Sequence, residues 1–271
     1  MKRKFSWDPM VILQHTRFKN LKFILFTTLP PHLLVSRFEN LDEYYQKSTS
    51  FLIDNDVYAI LRKYGIADPK KVYKLAVKKI LQRLQKVGKN SNVYVVAPDY
   101  PFDIEVNYQL YQQFKKEYSF IFKDHTVLYV AHGYYNAKIP EDVQVIAIPF
   151  NKLTTIDKLD LSGKSVCRLK RPTIKYILNK TIEHIINTVH DCKVHLLGTT
   201  KRTLQAIFGE ISCYEYGLYK NIHSIDTTAW HLAPNSEIKK EQNGKYMIET
   251  HPEIFEKWFN EWIKGLPFKL M

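Results

Sequence analysis

Three aspartates in this chain each stand at the end of a short apolar run. They are Asp54 in Phe51-Leu52-Ile53-Asp54, Asp99 in Val95-Val96-Ala97-Pro98-Asp99, and Asp226 in Ile222-His223-Ser224-Ile225-Asp226. One aspartate in such a place is commonly a helix cap or a turn former. Three on strands that converge on one mouth suit glycosyl chemistry. One carboxylate attacks the anomeric carbon as the bond to the leaving group breaks, and a second moves protons on and off that group. A covalent intermediate lets one group leave before another enters, which an exchange requires. A carboxylate can also accept hydrogen bonds from the amino groups of a base edge.

The elements that must position these residues are short buried strands alternating with helices. Strand-like runs fall at Phe23 to Thr27, Phe51 to Asp54, Val93 to Ala97, Thr126 to Ala131, Val143 to Ile148, Val194 to Leu197 and Ile222 to Ile225. An eighth is expected at 163–169 or 210–213. Helical periodicity marks Lys70 to Val87 (with Asp68 as cap and Pro69 in the first turn), Val106 to Tyr118, Pro172 to Val189 and Lys201 to Phe208. A last helix occupies 251–266, from about Pro252 to Lys264, and 238–249 reads as a surface hairpin insertion around Gln242-Asn243-Gly244. Strands that alternate with helices pair in parallel. The 271 residues then form a single α/β domain over 1–271, an irregular (β/α)₈ TIM-type barrel with its active site at the C-terminal strand ends. The rival, an open doubly wound sheet, usually carries a glycine-rich turn after its first strand. This chain has nine glycines and neither GxGxxG nor GxxxxGK[ST].

Forty Lys and Arg stand against 27 Asp and Glu, a net charge of +13, which points to a polyanionic partner and first to nucleic acid. Candidate phosphate contacts are Arg168, Lys170, Arg171 and Lys175, and Lys201 and Arg202 just beyond the strand end at Gly198. Lys78, Lys79, Arg83 and Lys86 read better as a solvated helix face. Three dispersed cysteines, Cys167, Cys192 and Cys213, do not make a disulfide framework, so a reducing cytoplasm is the expected compartment. The run Phe23 to Phe26 is too short to cross a bilayer and no signal peptide is evident, so no membrane association is expected. His190, Cys192 and His195 are close in sequence, but His195 alternates with core residues, and no metal is expected there.

At the aspartates the chain resembles the tRNA-guanine transglycosylase superfamily. The likeness is nearest to its short phage and archaeal-type members, which include the DNA deazaguanine transglycosylases. It runs in order over about residues 50 to 231 and rests on short motifs. Ser50-Phe51-Leu52-Ile53-Asp54-Asn55-Asp56 is similar to the family's first aspartate motif, with Asn55 and Asp56 where Ser and Gly are usual. Val96-Ala97-Pro98-Asp99-Tyr100-Pro101 is similar to the motif whose aspartate reads the purine edge. Val130-Ala131-His132-Gly133 resembles a strand end that usually offers a glutamine and a glycine, and Ala147-Ile148-Pro149 stands for a glycine-rich one. Val194-His195-Leu196-Leu197-Gly198 and Ser224-Ile225-Asp226-Thr227-Thr228-Ala229-Trp230 resemble the last two, the second being the catalytic strand.

The resemblance implies an irregular barrel that replaces guanine in DNA or tRNA with a free 7-deazaguanine base. Asp226 would be the nucleophile, and Asp54 would transfer the proton or bind the base. Asp99, His132, Gly133, Gly198 and Trp230 would bind the base. No cofactor is implied, and the target nucleotide must leave its stack to reach the mouth. Full-length tRNA enzymes of this family hold a structural zinc through closely spaced cysteines, a spacing this chain lacks, so both polymers stay open. Two other readings stand beside exchange: a nucleic-acid-binding protein without turnover, and a hydrolase that removes a modified base.

Overall fold

In a computed structural model, the described residues are 21–27, 31–36, 42–64, 68–87, 92–150, 171–209, 211–227 and 269–270, with the helical positions Lys257, Asn260 and Lys264. Eight parallel strands form one sheet: β1 (Lys22–Phe26), β2 (His32–Val35), β3 (Ser50–Ile53), β4 (Val93–Val96), β5 (Thr126–Val130), β6 (Val145–Pro149), β7 (Lys193–Leu197) and β8 (Ile222–Asp226). They pair in chain order, and β8 returns to β1 with Phe26 opposite Asp226. A bridge between Thr27 and Leu33 links β1 to β2, so the ring is nearly closed. This is a (β/α)₈ TIM-type barrel.

The helices are α1 (Asp42–Lys47), α2 (Val57–Tyr64), α3 (Pro69–Val87), α4 (Ile104–Glu117), α5 (Ser119–Asp124), α6 (Arg171–Thr188), α7 (Lys201–Phe208) and α8 (Cys213–Tyr219). Their starts follow local chemistry. Asp68 accepts from the Lys70 N–H at 3.1 Å ahead of Pro69, and Asp103 caps α4 through the Val106 N–H at 3.0 Å. Ser212 and Glu215 form a capping box on α8.

Period-two alternation divides the strands between two cores. Phe51, Ile53, Val93, Val95, Tyr129 and Ile146 pack outward against the helices. Phe26, Leu34, Leu52, Val96, Leu128, Val130, Val145 and Ala147 fill the barrel interior. β8 breaks this rhythm at a bulge. Val194 is opposite Ile222 but His195 is opposite Ser224, which leaves His223 as the extra residue. The bulge lets Ile222 and Ile225 both join the outer core, although an odd number of steps separates them.

Among the described residues the eighth strand is β2. Ile211 and Ser212 are irregular and Cys213 begins α8, while 163–169 lies outside the described residues. Five residues separate β1 from β2, too few for the helical crossover a parallel pair normally needs. The pair forms because β2 begins level with the top of β1. A short strand, β9 (Lys269–Leu270), covers the lower edge of β1 that β2 leaves open, pairing Lys22 with Lys269 and Phe23 with Leu270. The expected hairpin at 238–249 lies outside the described residues. Among those residues no helix is long and apolar enough to cross a membrane.

Candidate active site

Asp226 is the last residue of β8 and only 5% exposed. Gly198 closes β7 in a left-handed conformation, φ +72°, and its N–H donates to Asp226 Oδ1 at 2.7 Å. His195 Nε2 lies 3.0 Å from the same oxygen, and His195 Nδ1 lies 2.8 Å from Ser224 Oγ. With Asp226 ionised, the imidazole donates through Nε2–H and Nδ1 accepts the Ser224 hydroxyl proton. Both contacts fall on Oδ1, and Oδ2 takes no hydrogen bond among the described residues. The backbone below is equally fixed. Thr199 donates to the Asp226 carbonyl through N–H at 3.0 Å and Oγ1 at 2.8 Å, and Thr227 donates through Oγ1 to the Thr199 carbonyl at 2.6 Å. The carboxylate is thus held by one oxygen and presents the other.

Asp54 follows β3 in the same inward phase as Leu52 and is half-buried. Its carboxyl is pushed up to about 7, first by burial, then by the Asp56 charge, with Asp226 adding to the rise. Arg83 and the Asp56 N–H, 3.3 Å from Asp54 Oδ1, oppose it. Asp54 and Asp226 are therefore at one end of the barrel and within each other's field. A carboxyl that titrates near neutrality can both give and take a proton there.

The raised value has a consequence for stability. The native state keeps the Asp54 proton up to about pH 7, whereas the unfolded chain loses it near 4. Stability relative to an uncharged side chain is thus fully present below pH 4 and falls as pH rises towards 7. Asp54→Asn should match the parent in urea unfolding at pH 4 and exceed it by about 1–3 kcal/mol at pH 8. Equal differences at both pH values would show that Asp54 is not perturbed.

Asp99 belongs to a second group on the same rim. Asn55 Nδ2 donates to Asp99 Oδ1 at 2.7 Å and to the Ala97 carbonyl at 2.6 Å, while Asn55 Oδ1 accepts from the Val57 N–H at the start of α2. Asp99 Oδ2 forms a short contact with His132 Nε2. Asp99, Asn55 and His132 are all buried. Asp99 does not figure among the groups that shift Asp54. Asn55, next to Asp54, thus ties Asp99 to the turn after β3, and Asp99 and His132 form a buried pair at the same end of the barrel. Gly133 has a steric reason for its identity: its φ is +89°, and a Cβ would fall 2.5 Å from Ile104 Cδ1.

An ion pair behind Asp54 completes the turn after β3. Asp56 adopts a left-handed φ of +59° and pairs with Arg83 of α3 at 2.5 Å. Arg83 Nη1 also donates to the Asp54 carbonyl at 2.6 Å. Arg83 is thus buried and structural, not part of a solvated face, whereas Lys78, Lys79 and Lys86 are exposed as expected. Lys175 pairs with Glu215 at 3.0 Å instead of standing free for phosphate. Arg168, Lys170 and Trp230 lie outside the described residues, as do the side chains of Arg171, Lys201 and Arg202, although the last two open α7 just beyond Gly198.

His195 faces the barrel interior, Cys192 lies in the outer core and His190 is exposed, so these three do not converge on one point. Among the described residues no group of three His, Cys, Asp or Glu could hold a metal ion. A cavity of about 430 Å³ opens at the opposite end of the barrel, lined by Tyr94, Thr126, Val145, Lys193 and His223 among others. These residues begin their strands, and that face of a TIM-type barrel serves stability, so the carboxylate end is the better candidate for chemistry.

Fold and site together define a (β/α)₈ barrel with Asp54, Asp99 and Asp226 at its C-terminal mouth. No family model matches the chain, and no curated protein does. Among solved structures it is similar to the carboxyl transferase domain from Rhizobium etli pyruvate carboxylase with 3-bromopyruvate, at 8% identity and a TM-score of 0.36 over 93% of this chain. That alignment takes in 49% of the other chain, so this chain spans about half its length.

Proposed function

We propose that this protein exchanges guanine in DNA or tRNA for a 7-deazaguanine base through a covalent glycosyl intermediate on Asp226. The observation that carries the reading is the division of labour between two carboxyl groups. Asp226 is oriented through Oδ1 with Oδ2 presented, and Asp54 at the same end of the barrel titrates near 7. Asp226 Oδ2 attacks C1′ as the bond from C1′ to guanine breaks, and protonated Asp54 gives its proton to the departing base. The incoming base then loses a proton to Asp54 and attacks C1′, and the bond to Asp226 breaks. Asp99 and His132 hold the base edge, and the motif order around Asp54, Asp99, Gly198 and Asp226 supports this base class.

Labelled guanine separates this reading from the two others. Exchange incorporates label into the polymer, hydrolysis only releases base, and a binding protein without turnover does neither. Nucleic-acid affinity should also be salt-sensitive given the +13 charge. Neutralising about four phosphates gives a log–log slope of about −3 to −4. A flat salt dependence would remove the electrostatic case for a polyanionic partner.

A further inference from the structure

The cavity at the N-terminal end of the barrel is not packed like a floor built only for stability. The interior of such a barrel is normally filled by layers of branched apolar side chains. The upper inward positions follow that rule with Val96, Leu128 and Ala147. Two residues below Val96, Leu128 and His195, in the same strand phase, stand Tyr94, Thr126 and Lys193. Register ties them to neighbouring strands: Tyr94 is opposite Thr126, and Lys193 is opposite Val145. The bulge in β8 adds His223, whose ring lies 5.8 Å from that of Tyr94. Phe26 of the inner core backs this pair, edge-on to Tyr94 at 5.4 Å. Polar side chains in a core layer cost stability unless something pairs with them. His223 Nδ1 is shut from solvent and meets no hydrogen-bond partner among the described residues. Burial first, then Lys193 and His195, pulls this imidazole down to about 4, so at neutral pH it is an uncharged ring. Beside Tyr94 it offers a wall on which a flat ligand stacks.

The rim carries charge. Glu141 and Asp142 precede β6 and Asp191 precedes β7, and all three line the cavity with Lys193. Asp142 is taken by Lys115 of α4. Among the described residues Glu141, Asp191 and Lys193 form no ion pair. An occupant has to satisfy one ammonium and two carboxylates around an aromatic wall. A phosphate or dicarboxylate would meet Glu141 and Asp191 with like charge, and a polyamine would meet Lys193 with like charge. A neutral ring would leave all three charges without a partner.

We propose that this cavity binds a free aromatic α-amino acid, with its carboxylate on Lys193, its ammonium at Glu141 and Asp191, and its ring against His223 and Tyr94. The volume, about 430 Å³, suits a ligand of that size. The site lies at the other end of the barrel from Asp226 and does not rest on the exchange reading.

Calorimetric titration at pH 7 with L-phenylalanine, phenethylamine and 3-phenylpropionate tests the assignment. L-phenylalanine should bind the parent protein saturably at one site. Phenethylamine lacks the carboxylate and 3-phenylpropionate lacks the ammonium, and each should bind at least about tenfold more weakly, the worth of one hydrogen bond to a charged group. Two variants place the site. Lys193→Met should lose the preference over phenethylamine and keep that over 3-phenylpropionate. Glu141→Gln with Asp191→Asn should do the reverse. All three residues are exposed, so the variants should fold as the parent does, which circular dichroism checks. No saturable binding of L-phenylalanine by the parent, or equal affinity for the three ligands, would overturn the proposal. So would a preference that survives the loss of its own partner, because the amino acid would then be bound elsewhere on the protein.

Discussion

Asp226→Asn should lower the exchange rate at least about 10³-fold while folding and nucleic-acid binding survive. The substitution is well posed because both hydrogen bonds to this side chain fall on Oδ1. An asparagine oxygen can keep the Gly198 N–H and the His195 Nε2–H, placing its amide nitrogen where Oδ2 was. Position is then preserved, and the loss reads chemistry. The amide is a poor nucleophile and carries no charge to stabilise the cationic sugar. Denaturing the parent protein with substrate should leave nucleic acid attached, and mass spectrometry should place it on Asp226. An adduct on Asp54 would reverse the two roles. Full exchange by the variant would sink the mechanism.

The barrel was legible where strands follow the expected rhythm. The runs at Phe51, Val93, Thr126 and Val194 each become a strand, and they end at the rim that carries Asp54, Asp99, His132 and Gly198. β2 was missed because a four-residue strand straight after Pro30-Pro31 has no helix before it to announce a parallel partner, and its stagger against β1 cannot be read from periodicity. Asp54, Asp99 and Asp226 could be picked out because each follows a short apolar run. The runs could not show that Asp99, two residues past Ala97 of the outer core, is tied to Asn55 and His132. His195 looked like a core residue, and it is one, fully enclosed. Its role shows only when Ser224 and Asp226 are brought alongside across β7 and β8. Arg83 was hidden more deeply. Its neighbours Lys79 and Lys86 lie on the solvated face of α3, and only its spacing, three residues after Ile80 and four before Val87, puts Arg83 on the buried stripe.

Arg83→Met should destabilise the protein by about 3–5 kcal/mol, measured by urea unfolding at pH 7, the cost of leaving a buried charge without its partner. Arg83 is 7% exposed and Asp56 6%, and the guanidinium is the group that holds the Asp56 carboxylate, at 2.5 Å. Methionine keeps much of the volume of the side chain and none of its charge. It also gives up the 2.6 Å bond to the Asp54 carbonyl. The partner substitution shows that the ion pair, and not the packing of α3, is at fault. Asp56→Gly in the Arg83→Met background removes the stranded charge and supplies a residue that takes φ +59° freely, so the double variant should recover at least about half the loss. The two defects are then strongly coupled, where independent defects would add. Function should follow. Arg83 holds down the Asp54 carboxyl, so its removal in the single variant should move the alkaline limb of the exchange profile to higher pH. A loss below about 1 kcal/mol, or simple additivity with Asp56→Gly, would mean that the turn after β3 does not depend on this pair. The left-handed turn at Asp56 would then be held by something other than charge.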